Sequence, residues 1–356
     1  MNTIKKTIAT LLFTGMMFSS CTKWVDYNPH EDFLITELDY LKSESDYRTM
    51  SVSVYTPIQW LNQAVPVADI ASDNAVSGGE NASDVLSLQQ IDDYTHTPVN
   101  STLTELWQAA YEGINRANYM TQYKDKNLAG ETVSFAGKDA LYGEVYFLRA
   151  YYYFHLVRFF GDVPLFVDKR LGLSESKTLT RSAKTEVYKQ IEKDLNAAIA
   201  VLPAVQVQKG RITKYAAQAL LGKVFLYQNK FDAAAPILES IITSNAFSLV
   251  SDFGSIFLPT GENGTESVFE IQYTNTQGAG FGCLQCSEGN VAVGFYSPRF
   301  TGCNYAPFSD GFSFGVPVQG LVNAYTAGDT RKNATILDIA ALATTQSFTY
   351  AQGYEH

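Results

Sequence analysis

Apolar residues return at intervals of three and four along most of the first 245 positions of this 356-residue chain. That spacing lines one face of a helix. It predicts helices over 40–61, 102–123, 137–160, 185–202, 215–228 and 231–243. The third is the most apolar: Leu141, Val145, Leu148, Tyr152, Leu156 and Phe159 make one stripe, and Phe147, Tyr151 and Phe154 widen it until little polar face is left. A helix of that kind has to be packed on most sides. Gly161, which tolerates positive φ, ends it, and Pro164 prevents it from resuming.

In the fifth and sixth predicted helices, Leu221, Gly222, Phe225, Phe231, Ala234 and Leu238 follow a spacing similar to a tetratricopeptide repeat, in which small residues let paired helices approach closely. Asn229 in the turn and Pro236 early in the second helix depart from the usual repeat. Beyond Asn245 the texture changes. Residues 267–273 read as a short strand, and 274–320 are rich in Gly, Ser, Asn, Pro and aromatic residues. The fold expected is mainly α: a tetratricopeptide-like scaffold of helical pairs over 39–245, then a loop-rich region over 246–356 containing short strands. Loops carried on a rigid scaffold are where binding groups concentrate.

The start of the chain has a separate logic. Lys5 and Lys6 precede an apolar stretch over 7–18, which has the length of a signal-peptide core and is too short to span a bilayer. Phe18, Ser19 and Ser20 then lead into Cys21, an arrangement that resembles a lipobox. The reading is a leader over 1–20, removed on export, a lipidated mature N-terminus at Cys21, and a tether over 21–38. After the leader no apolar run reaches the ~20 residues that a transmembrane helix needs. Export also places Cys283, Cys286 and Cys303 in a compartment that permits disulfides, with one pair and one free thiol by arithmetic. Cys283 and Cys286 have zinc-ribbon spacing, but no second pair and no nearby histidine accompany them, so neither metal nor cofactor is expected.

Hydrophobic residues make up 46% of the chain, enough to build one large core or two intimate ones without staples. The formal charge of −10, with Lys and Arg scattered, repels polyphosphate and excludes nucleic acid as a partner. The 22 Tyr, 22 Phe and 3 Trp serve both as core filling and as flat platforms for ligands.

The segment Leu148-Arg-Ala-Tyr-Tyr-Tyr-Phe-His-Leu-Val-Arg-Phe-Phe-Gly-Asp-Val-Pro-Leu165 resembles the hallmark helix and turn of the SusD/RagB family. Thr265-Glu-Ser-Val-Phe-Glu-Ile-Gln272 is similar to the strand that follows the family's repeat-like helices. Gly311-Phe-Ser-Phe-Gly-Val-Pro-Val-Gln-Gly-Leu-Val-Asn-Ala-Tyr325, with Gly328-Asp-Thr-Arg331, is similar to the stretch before its last helices. Order and spacing agree throughout. Family members continue past the last element, so a chain ending at His356 is expected to be incomplete at its C-terminus. The resemblance implies a non-enzymatic, cell-surface lipoprotein of Bacteroidetes, anchored in the outer membrane through Cys21. Such a protein sits over a SusC-like TonB-dependent transporter, captures an oligosaccharide and delivers it; a peptide or glycopeptide ligand is the alternative within the family.

Sugar capture asks for aromatic faces that stack on pyranose rings beside Asn, Asp or Arg that bond hydroxyl groups. Tyr296, Arg299, Phe300, Asn304 and Tyr305 meet that list in the cysteine-bearing loop. Asp73, Asn74 and Asn81 meet it in the loop over 69–84, which resembles a variable segment of the family. Plain packing, transporter contact or solvation is the competing reading for each. Two other functions remain open at this stage. Gly311-Phe-Ser-Phe-Gly315 has the pattern of a nucleophile elbow, which would make Ser313 the centre of an exported hydrolase, although no strand is expected before it. The helices could also hold the transporter alone, without ligand contact. His155, inside the aromatic helix, reads as a packed, hydrogen-bonded core residue.

Overall fold

The computed structural model describes residues 37–274, 289–290, 292–301, 311–347 and 349–350. Its first part is a stack of helices: α1 (Glu44–Trp60), α2 (Ala64–Ile70), α3 (Leu86–Asp92), α4 (Ser101–Gln122), α5 (Lys138–Phe160), α6 (Leu173–Ser176), α7 (Lys184–Val201), α8 (Lys214–Tyr227) and α9 (Phe231–Thr243). Local chemistry sets their ends. The Ser43 hydroxyl accepts from Asp46 N while the Asp46 carboxylate accepts from Ser43 N, a reciprocal cap that starts α1. Asn100 and Thr213 cap α4 and α8 with their side-chain oxygens. Gly161, at φ 70°, stops α5 where the sequence places its stop.

The long helices stack nearly in chain order. α4 packs on both α1 and α5, which also touch each other, α5 packs on α7, and α8 packs on α7 and carries α9. Small residues set the closest approaches. A Cβ at Gly113 of α4 would come within 2.2 Å of the Tyr152 ring of α5, and one at Gly222 of α8 within 2.5 Å of Leu238 of α9. The central helix α5 is buried nearly all round, as its widened stripe requires, and Tyr142, Phe147, Tyr152, Tyr153 and Phe154 are almost wholly inaccessible. Their hydroxyl groups are satisfied by carbonyls of neighbouring segments: Tyr142 donates to Met120 O at 2.9 Å, Tyr152 to Val54 O at 2.6 Å and Tyr153 to Phe166 O at 2.7 Å.

The segment 148–165 is a structural clip. Arg149 forms a bidentate pair with Asp194 of α7 (2.8 and 2.7 Å) and also donates to Asn118 Oδ1 of α4 (2.9 Å) and Val167 O (3.0 Å). One buried guanidinium thereby ties α4, α5, α7 and the following loop together. The Asp162 carboxylate accepts from Lys184 N at the start of α7, and Pro164 O accepts from the Tyr111 hydroxyl.

Two expectations change. Residues 267–273 form no strand. Phe269 and Ile271 alternate toward the core as a strand would, but what they meet is helix: Phe269 packs edge-on against Phe147 with ring centroids 5.5 Å apart. A period of two reports one buried side, and here that side is covered by helical side chains without any ladder partner among the described residues. His155 is packed between Tyr151 and Phe159, but its Nδ1 has no hydrogen-bond partner among the described residues.

Among the described residues after α9 most are loop, with short elements: α10 (Ala292–Tyr296), α11 (Gln319–Ala324), α12 (Arg331–Thr335) and α13 (Ile339–Leu342). Two-residue strands pair antiparallel, β1 (Ala75–Val76) with β3 (Val316–Pro317) and β2 (Phe300–Thr301) with β4 (Thr349–Tyr350). Among the described residues no helix is long and apolar enough to cross a membrane.

Candidate functional site

The β1–β3 pair, with Ala75 opposite Pro317 and Val76 opposite Val316, joins two loops that lie more than 200 residues apart in the chain. It brings the 69–84 loop against residues 292–299 and 312–318, and α10 rests on α2. Between them the backbones are knitted together: Gly79 N donates to Ser313 O (2.9 Å), Val318 N to Asn74 O (3.0 Å) and Ser313 N to Ser297 O (3.0 Å). The approach is close enough to exclude a side chain. A Cβ at Gly78 would lie 2.1 Å from Ser313 O.

Arg299 is the centre of this contact. Its Nη2 donates to Asp84 Oδ2 at 2.7 Å, its Nε to Phe312 O at 3.1 Å, and its backbone N to Ser313 Oγ at 2.8 Å. Glu80 lies 3.7 Å from Nη1, and only 18% of the Arg299 side chain is exposed. Asp84 is itself held, its Oδ2 accepting also from Glu80 N at 2.8 Å. Tyr296, at the end of α10, donates its hydroxyl to Asp69 Oδ2 of α2 at 2.5 Å. Burial and that carboxylate push the phenol well above its usual range, so it stays protonated and donates.

Two rings stand at the surface of this contact, Tyr296 at 39% and Phe312 at 36% exposure. Each lies over a glycine. A Cβ at Gly315 would be 2.7 Å from the Tyr296 ring, and one at Gly294 would be 3.0 Å from Phe312. Phe312 also stacks on buried Phe314 at 6.3 Å, and Phe314 packs on Phe295 at 5.4 Å. An exposed ring with a fixed inner support and acidic groups beside it can stack on a flat apolar face while neighbouring carboxylates accept hydrogen bonds.

The residues expected from sequence divide accordingly. Tyr296 and Arg299 come together with the 69–84 loop. Asn81 is exposed, and its Oδ1 accepts from Ser83 N in the turn that presents Asp84. Asp73 and Asn74 are exposed before β1, where Asn74 contributes its backbone carbonyl to Val318. Phe300 lies in β2. Its side chain, together with Asn304, Tyr305 and the cysteines at 21, 283, 286 and 303, lies outside the described residues. Phe312 was not expected as a site residue, and Asp84 entered only as the end of the candidate 69–84 loop; the glycines at 311 and 315 on either side of Phe312 were the available signal of a tight backbone approach. Ser313 has its hydroxyl, N–H and carbonyl all engaged within the contact.

The chain can be set beside known proteins. Residues 23–226 match a SusD-like family model described as "Starch-binding associating with outer membrane". SusD-like protein P38 of Formosa agariphila is 27% identical over 313 residues, which is 84% of this chain and 57% of that protein. SusD-like protein P25 of the same organism is 23% identical over 277 residues, or 74% and 51%. The chain spans about half the length of the curated relatives it matches. Among solved structures, a laminarin-binding SusD-like protein is 31% identical with a TM-score of 0.79, covering 88% of this chain and 70% of that one. Surface glycan-binding protein A from Bacteroides thetaiotaomicron, solved with laminarihexaose, is 26% identical with a TM-score of 0.74, covering 87% and 69%. The two solved relatives are named for binding laminarin and surface glycans. With a match that extends over more than half of its residues, the chain belongs to the SusD-like family.

Proposed function

We propose that this protein captures an oligosaccharide at the cell surface and delivers it to a SusC-like TonB-dependent transporter, held to the outer membrane by a lipid on Cys21. The observation that carries the reading is the likeness, over 88% of the chain, to a laminarin-binding relative. The clasped loops supply compatible chemistry: Tyr296 and Phe312 offer ring faces, and Asp69, Asp73, Asn74, Glu80 and Asn81 offer acceptors for sugar hydroxyl groups. Asn304, Tyr305 and Phe300 belong to the same proposed ligand face by their place in the sequence. The domain division into leader, tether, helical scaffold and loop-rich ligand region follows from this reading.

Titration calorimetry of the mature protein with laminarihexaose, beside an array of α- and β-glucans and of peptides, tests it. Saturable binding to a glucan is the expected result. Binding to peptides with silence on every glycan would replace oligosaccharide capture by peptide capture. Co-purification with the barrel transporter tests the delivery half separately.

A further inference from the structure

We infer that Arg299 is a positioning residue that fixes the exposed Phe312 ring for stacking, rather than a group that bonds the ligand; this rests on the capture function proposed above. Its Nε and Nη2 are engaged within the protein, on the side of the guanidinium that faces the two loops. The guanidinium bridges Asp84 on one loop and Phe312 O on the other, Nη1 faces Glu80, and the side chain is 18% exposed. Phe312 is therefore anchored at its own carbonyl by the residue that also closes the clasp. Its ring lies on Phe314 and over Gly294, with the Arg299 guanidinium 6.0 Å from its centroid.

The next residue makes the anchoring necessary. Ser313 adopts φ 53°, in the left-handed region that disfavours a residue with a Cβ. Such a conformation persists only where its surroundings over-determine it. Here the Ser313 hydroxyl accepts from Arg299 N, its carbonyl accepts from Gly79 N, and its N–H donates to Ser297 O. Releasing the Arg299 side chain would leave the Asp84 carboxylate without its cation and free the Phe312 carbonyl. The turn at Ser313 would then relax, and the Phe312 ring would lose its fixed place. Pre-organisation of that kind raises affinity by removing an ordering cost at the moment of binding.

A double-mutant cycle with two readouts tests this. Laminarihexaose affinity is measured for wild type, Phe312→Ala, Arg299→Met and the double variant, and amide hydrogen exchange is followed at residue 79 and at residues 312–314. Phe312→Ala and Arg299→Met should each weaken binding about tenfold, and the double variant should be no weaker than Phe312→Ala alone. Arg299→Met should speed exchange at those amides and leave the amides of the helical stack unchanged. Losses that multiply in the double variant, with exchange unchanged, would place Arg299 on the ligand and overturn the inference. So would wild-type affinity in Arg299→Met. Asp84→Asn keeps the shape of the partner and removes its charge; it should give the same pattern, and it serves if Arg299→Met fails to fold. Were wild type not to bind the probe, the capture reading would fall for that ligand class. The exchange readout would still decide the clasp, since unchanged exchange in Arg299→Met would refute it.

Discussion

Of the ionisable side chains buried among the helices, Glu144 pairs with Arg211 and Arg149 with Asp194, whereas His155 Nδ1 has no partner among the described residues. Burial, with the cations Arg158 and Lys223 near it, pushes the imidazole pKa down to about 3. In the unfolded chain the same ring protonates near the usual 6.5. As pH falls from 6.5 toward 3 the unfolded state therefore takes up a proton that the native state refuses. The contribution of the neutral ring is complete above 6.5 and is lost through that window. Urea unfolding at pH 7 and pH 5 should show a larger loss for wild type than for His155→Phe, by about 1–2 kcal/mol. Arg149 makes the opposite case. Arg149→Met strands the Asp194 carboxylate at 3% exposure and should cost about 3–5 kcal/mol in urea unfolding at pH 7, whereas adding Asp194→Leu should restore most of it. The sequence flagged Arg149 as part of a family hallmark, but its role as a tie between three helices depends on where α4 and α7 come to lie.

At the scale of the element, the long helices were readable almost to their ends, whereas the short helices Ala64–Ile70, Leu86–Asp92 and Leu173–Ser176 were not expected. The apolar spacing predicts 102–123 and 231–243, and the structure has Ser101–Gln122 and Phe231–Thr243. What spacing does not give is how closely two helices approach. Gly113→Ala would place a methyl group 2.2 Å from the Tyr152 ring, which cannot swing away because its hydroxyl is tied to Val54 O. The gain of up to about 1 kcal/mol in helix propensity is outweighed by overpacking, for a net loss of about 1–3 kcal/mol in a thermal or urea melt. Gly222→Ala should be milder in the same measurement, because it meets the flexible end of Leu238 on the half-exposed outer helix α9. The segment 267–273 shows the limit of periodicity. Alternation there identifies a buried side correctly but is silent on whether a strand or a helix covers it.

At the scale of the molecule, the proposed anchor makes a direct prediction. Cys21→Ser should abolish incorporation of an alkyne-labelled fatty acid in the native host and move the protein out of the membrane fraction. Retention of both label and fractionation would remove Cys21 from the account. The proposed binding surface sits at the meeting of two loops, and its assembly explains why so little of it could be read in advance. Tyr296 and Arg299 were chosen by residue type, and both lie at the clasp. Phe312 was not expected, because the glycines on either side of it signal a tight turn but not which ring stays at the surface, and the role of Asp84 depends on Arg299, 215 positions away.

The linear order of residues was sufficient to determine the helical class, the boundaries of the long helices and the family, since helix periodicity and capping act over three or four positions and hallmark segments are contiguous. It could not determine which polar groups would be free to meet a ligand. The β1–β3 pairing joins positions more than 200 residues apart, and that juxtaposition commits the Arg299 guanidinium to Asp84 while leaving Phe312 at the surface. Those two outcomes depend on long-range packing, where the partner of each group is chosen by the fold and not by its neighbours in the chain.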